Sequence, residues 1–160
     1  MNLTFEKKNV CIRESRVEDI LVLRSCLRKE DVMEIWAMGH MTPERELMLC
    51  YAMSCVCRTL TLEGKPIAMF GLIPDFEDAK RAMIFFLGSQ DIELVKKTFL
   101  EFCTLFIDGA LTIFPTIYNF VDARYEKSLR WLKWLGAKVD EPRPQGIEGL
   151  PFHEITFRRI

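Results

Sequence analysis

The apolar run from Ala82 to Leu87 constrains the fold more than any other part of the chain. It is six residues long and ends at Gly88 and Ser89, which favours a strand over a helix. Because its residues do not alternate between polar and apolar, such a strand is expected to be covered on both faces. The sequence therefore predicts a sheet with helices packed on either side.

Other segments supply the rest of this sheet. Arg58 to Leu62 alternates polar and apolar residues, Glu63-Gly64-Lys65 predicts a tight turn, and Pro66 to Leu72 returns as the second strand of a hairpin. Further strands are predicted at Val10 to Arg13, Ile117 to Asp122, Lys138 to Asp140 and Phe152 to Phe157.

Helices are predicted from their starting and ending residues. Ser15 and Glu18 have the spacing of a capping box, and Thr42-Pro43 is a typical helix start. Five helices are predicted. The first begins near Val17, the second covers Asp31 to Met38, and the third begins at Thr42. The fourth covers Gln90 to Phe106, and the fifth covers Tyr125 to Leu135 before Gly136. At 160 residues the chain is predicted to form one domain, residues 1–160, of mixed α/β (α+β) class, with a central twisted mixed sheet of six or seven strands.

Composition excludes several classes of function. The net charge of −1 argues against nucleic acid as a partner, and no apolar run approaches a membrane span. The first residues lack the pattern of a signal peptide, so a cytoplasmic location is expected. Six cysteines and two histidines show no metal-ligand spacing, which predicts no metal site and buried free thiols in a reducing compartment.

The C-terminal part resembles a known family. Asn119 to Arg124 followed by Ser128 to Ala137 predicts a strand, a turn and a helix ending in Leu-Gly, which resembles the last unit of GNAT-type N-acyltransferases. The order of the elements also resembles that fold. More narrowly, the chain is similar to small GNAT-like proteins encoded among phage virion genes and prophages, through segments at Met41 to Glu44, Gly64 to Gly71, Val121 to Arg124, Ser128 to Ala137 and Gly149 to His153.

This resemblance implies a site for acetyl-CoA. The strand Ala82 to Leu87 and its neighbour Tyr118 to Asp122 are expected to separate, so that the pantetheine arm adds to the exposed strand and the diphosphate binds at the next helix start. The backbone near Phe86 and Leu87 would polarise the thioester carbonyl. The cofactor-binding residues implied are Phe86, Leu87, Gly88, Ser89, Gln90, Tyr125 and Ser128.

The chain departs from the family pattern at several of these positions. The diphosphate segment has a single glycine, and Asp91 and Glu93 follow it, so the alternative is an acidic helix start with Ser89 as its N-cap. Tyr125 stands where relatives often have asparagine. Leu132 stands where many have the tyrosine that protonates the leaving thiolate.

Two residues are candidates for catalysis. Asp122 ends an apolar strand and could act as a general base if burial raised its pKa; the alternative is a helix cap or an ion pair with Arg124 or Arg130. His40 lies in the region expected to face the acceptor, and the alternative is an exposed or hydrogen-bonded loop histidine.

Two functions follow from these observations. The first is an N-acyltransferase that moves an acetyl or other acyl group from acyl-CoA to an amine on a small molecule or a protein, with a degenerate cofactor site. The second is a catalytically silent accessory protein of phage or prophage origin that keeps the fold and binds a virion or host protein in the cytoplasm of a bacterial host.

Overall fold

The computed structural model describes the backbone of residues 5–7 and the whole of residues 9–160. The strands are β1 Phe5–Lys7, β2 Val10–Glu14, β3 Val56–Leu62, β4 Lys65–Pro74, β5 Arg81–Gly88, β6 Thr116–Asp122, β7 Lys138–Val139, β8 Arg143–Gln145 and β9 Leu150–Arg158. The helices are α1 Val17–Leu23, α2 Lys29–Gly39, α3 Pro43–Met53, α4 Lys96–Ile113 and α5 Glu126–Trp134, and a 3₁₀ helix at Gln90–Val95 precedes α4.

The described residues form one mixed sheet. Its strand order is β1-β2-β3-β4-β5-β6-β9-β7, and β8 also pairs with β9. Neighbours are antiparallel except β5 and β6, which are parallel. The predicted mixed α/β architecture is confirmed. The sheet has nine strands instead of six or seven because the short β1 and β8 have no clear sequence pattern.

The sheet is covered on both faces by separate apolar clusters. Met69 and Phe70 are neighbours on β4, and both are buried, but they belong to different clusters. Met69 packs with residues of α1, α2 and α3, whereas the Phe70 ring contacts α4, with 4.8 Å between its centroid and that of Phe102. Helices on both faces explain why β4 and β5 are apolar throughout.

Several local predictions are confirmed by the backbone. Glu63 and Gly64 both have positive φ, 50° and 81°, as a tight hairpin turn requires. Thr42 accepts a hydrogen bond from the Arg45 N–H at the start of α3. Gly136, with φ of 101°, follows the end of α5.

The start of α1 differs from its prediction. The Arg16 N–H donates to Asp19 Oδ2 at 2.8 Å, so the cap begins one residue later than Ser15 and Glu18 would place it. Asp19 is buried and also accepts from Arg13 at 2.7 Å and from Thr59 at 2.7 Å. The start of α1 is therefore capped by Asp19, whose carboxylate also has hydrogen-bond partners in the sheet.

The long helix also differs from its prediction of Gln90 to Phe106. Its first turns are 3₁₀, and α4 then extends to Ile113, seven residues past the expected end. Ile107 and Ala110 are buried and prolong the apolar face. Pro115 explains the end, because the residue before a proline is disfavoured in helical conformation.

All six cysteines are free, as expected, but the prediction that they are buried is only partly right. Cys50 and Cys103 are buried, whereas Cys55 is exposed. Among the described residues, no helix is both long enough and apolar enough to cross a lipid bilayer.

Candidate active site

Strands β5 and β6 separate in the middle of the sheet. They pair over three residue pairs, of which the last joins Met83 to Tyr118. Beyond that point β5 continues to Gly88 against β4, and β6 continues to Asp122 against β9. The expected separation is confirmed, and a V-shaped opening lies between the two strands.

The narrow end of this opening is bridged by Asn119. Its Nδ2 donates to the Ile84 carbonyl of β5 at 2.6 Å. Because backbone groups alternate between the two sides of a strand, Ile84, Phe86 and Gly88 face the opening, while Leu87 faces β4. Phe86 thus presents its backbone N–H and C=O between the two ends of the opening.

Helix α2 crosses the wide end and contacts both strands. The Asp31 carboxylate accepts the Gly88 N–H at 3.0 Å. One turn later, the Glu34 carboxylate accepts a hydrogen bond from the backbone of Asp122. Just before the helix, the Arg28 N–H donates to the Gly88 carbonyl at 2.8 Å. The ends of β5 and β6 are therefore joined through α2.

The other end of α2 is held by the turn between β8 and β9. The N–H groups of Ile147 and Glu148 donate to the carbonyls of Met38 and Ala37 at 3.1 and 3.2 Å. Gly146 has φ of 70°, and a Cβ there would lie 2.6 Å from Met38 Cα. Only glycine allows this close approach without displacing α2.

A cavity of about 140 Å³ passes through the opening from one face of the sheet to the other. On one face it is lined by Arg28, Asp31 and Glu34 of the α2 segment. On the other face its lining includes Phe102, Cys103, Phe106 and Ile107 of α4 and Ser128, Trp131 and Leu132 of α5. The cavity thus has a charged mouth and a largely apolar interior.

Glu34 has an altered acidity at this mouth. Burial, together with the neighbouring negative charge of Asp31, raises the pKa of Glu34 to about 8. Burial also raises the pKa of Asp31, although Arg28, 3.0 Å away, opposes that change. A carboxyl group whose pKa lies near neutrality is suited to taking up and releasing a proton.

Glu34 and Asp31 are not among the residues that the sequence identifies. A signal is present in their spacing, because Asp31, Glu34 and the buried Ile35 share one side of α2. Carboxylates beside the apolar face of a helix are costly unless they have partners. That pattern favours a polar site beneath the helix, but it does not reveal which strands contact it.

Solved structures share the fold of nearly the whole chain. The spermidine N-acetyltransferase of Vibrio cholerae, solved with CoA and spermine, is 13% identical with a TM-score of 0.72, over 95% of this chain and 96% of that one. A GNAT-family acetyltransferase of Bacillus anthracis is 11% identical with a TM-score of 0.69, over 98% of both chains. The fold is that of the GNAT acetyltransferases.

A third structure, from Salmonella typhimurium and solved with its cofactor acetyl-CoA, is 12% identical with a TM-score of 0.70, over 94% of both chains. No family model and no curated protein matches the chain. At these identities the likeness shows the GNAT fold alone. Nothing in the comparisons supports the expected resemblance to phage or prophage proteins.

Within this GNAT fold, Asp122 is bound by a cation. It is fully buried, and Arg124 donates to it from Nη2 at 2.7 Å and from the backbone N–H at 2.9 Å. Burial opposes ionisation, but the hydrogen bonds from Arg124 outweigh it and lower the pKa of Asp122. The alternative of an ion pair with Arg124 is therefore the observed one, and the raised pKa expected of a base at this position is absent.

His40 is not among the described residues that line the cavity. It follows α2 with φ of 53°, its Nε2 is hydrogen-bonded to Glu148, and its ring stacks on Trp36 with 4.6 Å between centroids. The alternative of a hydrogen-bonded loop histidine is the observed one. A catalytic role for His40 stays a prediction with no contact to the cavity.

In the segment expected to bind a diphosphate, the backbone N–H groups of Gly88, Ser89 and Asp91 are occupied. The Gly88 N–H is bonded to Asp31, and the Ser89 N–H donates to a β4 carbonyl at 2.8 Å. The Asp91 N–H donates to Ser89 Oγ at 3.3 Å, which is the N-cap geometry of the alternative interpretation. Gln90 is exposed beside these groups.

Helix α5 contributes polar atoms that have no partner. Ser128 lines the cavity, and Leu132 lines it where relatives often have tyrosine. Tyr125 Oη and Trp131 Nε1 are buried, and neither has a hydrogen-bond partner in the described part of the chain. Buried polar atoms of this kind are commonly satisfied by a bound molecule.

These observations test whether acyl-CoA fits. The exposed backbone of Phe86 and the cavity fit the pantetheine arm, and the unpartnered Trp131 N–H fits a carbonyl group of the bound thioester. The segment from Gly88 to Asp91 fits a diphosphate poorly, because three of its four backbone N–H groups are occupied and carboxylates adjoin it. The residues thus fit the reacting end of the cofactor better than its nucleotide end.

Proposed function

We propose that the chain transfers an acyl group from acyl-CoA to an amine, with Glu34 as the general base. The observation that supports this most directly is the position of Glu34, at the mouth of a cavity that passes between two separated strands. Its pKa of about 8 matches the proton transfer that an amine acceptor needs.

The chemistry follows from the charge of the acceptor. An alkylamine binds as an ammonium ion and must first lose a proton, which Glu34 accepts. The nitrogen then attacks the carbonyl carbon and gives up its second proton as the C–S bond breaks, and the sulfur leaves with a proton as the free CoA thiol. A cation beside Glu34 favours the ionised carboxylate, so the acceptor itself lowers the pKa of the base that deprotonates it. Acyl-CoA supplies the activated carbonyl carbon, and the Phe86 N–H faces the opening where a carbonyl oxygen would lie.

The acceptor is proposed to be a cationic amine, such as a polyamine. Asp31 and Glu34 line the mouth, and Glu30 is exposed on the same helix. Negative groups at a mouth with apolar walls concentrate cations there. The Vibrio cholerae structure contains spermine, which agrees with an acceptor of this class.

A second candidate is a binding protein without turnover, including the accessory protein of a virion or host complex. It is favoured by the Asp31 carboxylate on the Gly88 N–H, since the chain itself occupies a donor that a diphosphate would use. The leucine at position 132 agrees with this candidate.

Calorimetry with acetyl-CoA, CoA and pantetheine distinguishes the two candidates. The enzyme is expected to bind acetyl-CoA and to gain about 2.7 kcal/mol of stability at one hundred times its Kd. Because the diphosphate donors are occupied, CoA and pantetheine are expected to bind with similar affinity. Release of free thiol on adding spermine completes the test. No binding at millimolar acetyl-CoA would exclude acyl transfer, and binding without thiol release would favour the second candidate.

A further inference from the structure

The cavity extends further into the core than the opening between the strands. The last residue pair between β5 and β6 lies at Met83 and Tyr118, yet the cavity lining includes Phe157, which pairs with Ile117 inside the paired region. It also includes Ile107 of α4 and Ile155 of β9. The cavity therefore has an inner end beneath the closed part of the sheet.

This inner end is apolar and buried. Its walls are Cys103, Phe106, Ile107, Ile155 and Phe157, each no more than 8% exposed. Burial raises the pKa of the Cys103 thiol, so this group is a neutral apolar wall rather than a nucleophile. A space lined in this way favours an apolar group and disfavours water.

The size of the cavity sets the size of that group. Its volume is about 140 Å³. An apolar cavity of ~150 Å³ is large enough to hold benzene, and the volume here includes the passage between the strands, so about six carbons is the upper limit for a group at the inner end. An acetyl group has one methyl beyond its carbonyl carbon and would leave part of this space unfilled.

A polar atom in the lining adds a second requirement. Trp131 lines the cavity, its indole ring stacks on Phe99 at 5.5 Å, and its Nε1–H is buried without a partner in the described part of the chain. A ligand that satisfies it must have a hydrogen-bond acceptor beside its apolar part. A carbonyl joined to a short hydrocarbon chain has both features.

We infer that the inner end binds the hydrocarbon part of an acyl group longer than acetyl and of up to about six carbons, with the acyl carbonyl facing Trp131 and Phe86. The identity of the carrier as a CoA thioester rests on the proposed function, whereas the pocket for a short acyl chain does not. The preferred donor is accordingly a short- or medium-chain acyl thioester, and acetyl-CoA is a weaker one.

The pocket is tested first without CoA. Hexanamide, acetamide and benzene are titrated into ¹⁵N-labelled protein, and the Trp131 indole signal is assigned with Trp131→Phe. Hexanamide and benzene are expected to bind, hexanamide at least roughly tenfold more tightly than acetamide, and hexanamide alone is expected to shift the Trp131 N–H through a hydrogen bond. Equal binding of the two amides, or binding of no apolar probe, would overturn the inference.

A matched pair of variants locates the pocket. Cys103→Met fills the inner end and is expected to weaken hexanamide binding at least roughly tenfold. Cys50→Met adds the same side chain to the apolar cluster on the other face of the sheet and is expected to leave binding unchanged. Equal effects of the two variants would contradict this location. If Cys103→Met does not fold, the titration of the unmodified protein still decides whether the pocket for a short acyl chain exists.

The last comparison separates this inference from the proposed function. Hexanoyl-CoA is expected to bind at least roughly tenfold more tightly than acetyl-CoA. Equal affinities would overturn the acyl-chain inference and leave acyl transfer standing. Hexanamide binding with no binding of either thioester would support the pocket and count against acyl transfer.

Discussion

The two sides of the opening hold carboxylates in opposite states. At the end of β6, Asp122 is fully buried, yet hydrogen bonds from Arg124 overcome the effect of burial and lower its pKa. Across the opening on α2, burial and the charge of Asp31 raise the pKa of Glu34 to about 8. Burial acts on both groups in the same direction, so the nearest charge decides the difference. Asp122 is held ionised by Arg124, whereas Glu34 can take up and release a proton near neutral pH.

The largest expected effect is on catalysis. Glu34→Gln keeps the size of the side chain and removes the base, so kcat is expected to fall at least roughly 100-fold with spermine as acceptor. Binding of the acyl donor, measured by calorimetry, should change little. Glu30→Gln removes an exposed carboxylate from the same helix and is the control: it should keep kcat, and any loss should appear as a higher KM for spermine.

The pH profile gives a second measure of the same variant. In the unmodified protein the rate is expected to rise with pH through the ionisation of Glu34, at or below about 8 when a cationic acceptor is bound. Glu34→Gln should lose that limb. A profile that Glu34→Gln leaves unchanged would assign the base elsewhere.

The next effect is on stability. It comes from a variant that should give Asp122, like Glu34, a raised pKa. Arg124→Ala leaves the buried Asp122 without its cation, and the free energy of unfolding at pH 7 is expected to fall. Urea unfolding measures this loss. Arg130→Ala, an exposed arginine on α5, is the control, and an equal loss there would show that Arg124 acts through something other than Asp122.

The sign of the pH dependence follows from the direction of the shift. Because the folded-state pKa of Asp122 is below its ordinary value of 3.8, its stabilising contribution is present above that pH and is lost as pH falls through the folded-state pKa. Without Arg124, burial would raise the pKa, and stability would fall as pH rises above 3.8. The deficit of Arg124→Ala should therefore shrink towards acid pH.

Glu34 itself makes the stability of the protein depend on pH. Its folded-state pKa is raised from 4.5 to about 8, so the folded state binds the proton more tightly and loses stability as pH rises between these values. Glu34→Gln should gain stability relative to the unmodified protein over this range, by at most about 1.4 kcal/mol per pH unit. A difference that stays constant from pH 5 to pH 8 would contradict the raised pKa.

The smallest effect is expected at His40. Its pair with Glu148 is 40% and 42% exposed, so His40→Ala should lower the free energy of unfolding by less than about 1 kcal/mol. The pH profile of the rate should keep its shape. A loss of the rising limb in His40→Ala, with Glu34→Gln normal, would transfer the role of base to the histidine.

Much of the fold could be predicted from local patterns. The apolar run of β5, the hairpin turn at Glu63 and Gly64, and the cap at Thr42 each have a sequence signature that the structure confirms. The separation of β5 and β6 was expected only from the family resemblance, because strand pairing over a long sequence distance has no local signal. The short β1 and β8 have no clear pattern of their own and were not predicted.

The candidate site was harder to predict, and Asp122 and Glu34 show why. The sequence identifies Asp122 as a candidate because it ends an apolar strand. Arg124 follows two residues later, and its hydrogen bonds lower the pKa of Asp122. Glu34 is one of several carboxylates on a helix, and its raised pKa arises from burial in the folded chain together with the negative charge of Asp31. Residue type was visible in the sequence; the electrostatic environment was not.

The attachment of α2 at both ends has a consequence for how the protein would meet its substrates. Asp31 and Arg28 hold one end to β5, and the turn at Gly146 to Glu148 holds the other. A helix held at both ends has little freedom to move, so the distance between Glu34 and the separated strands is set before any substrate binds. Selection among amines would then depend on which of them fit an entrance of fixed size. Linear amines would bind, and bulky, branched amines would be excluded.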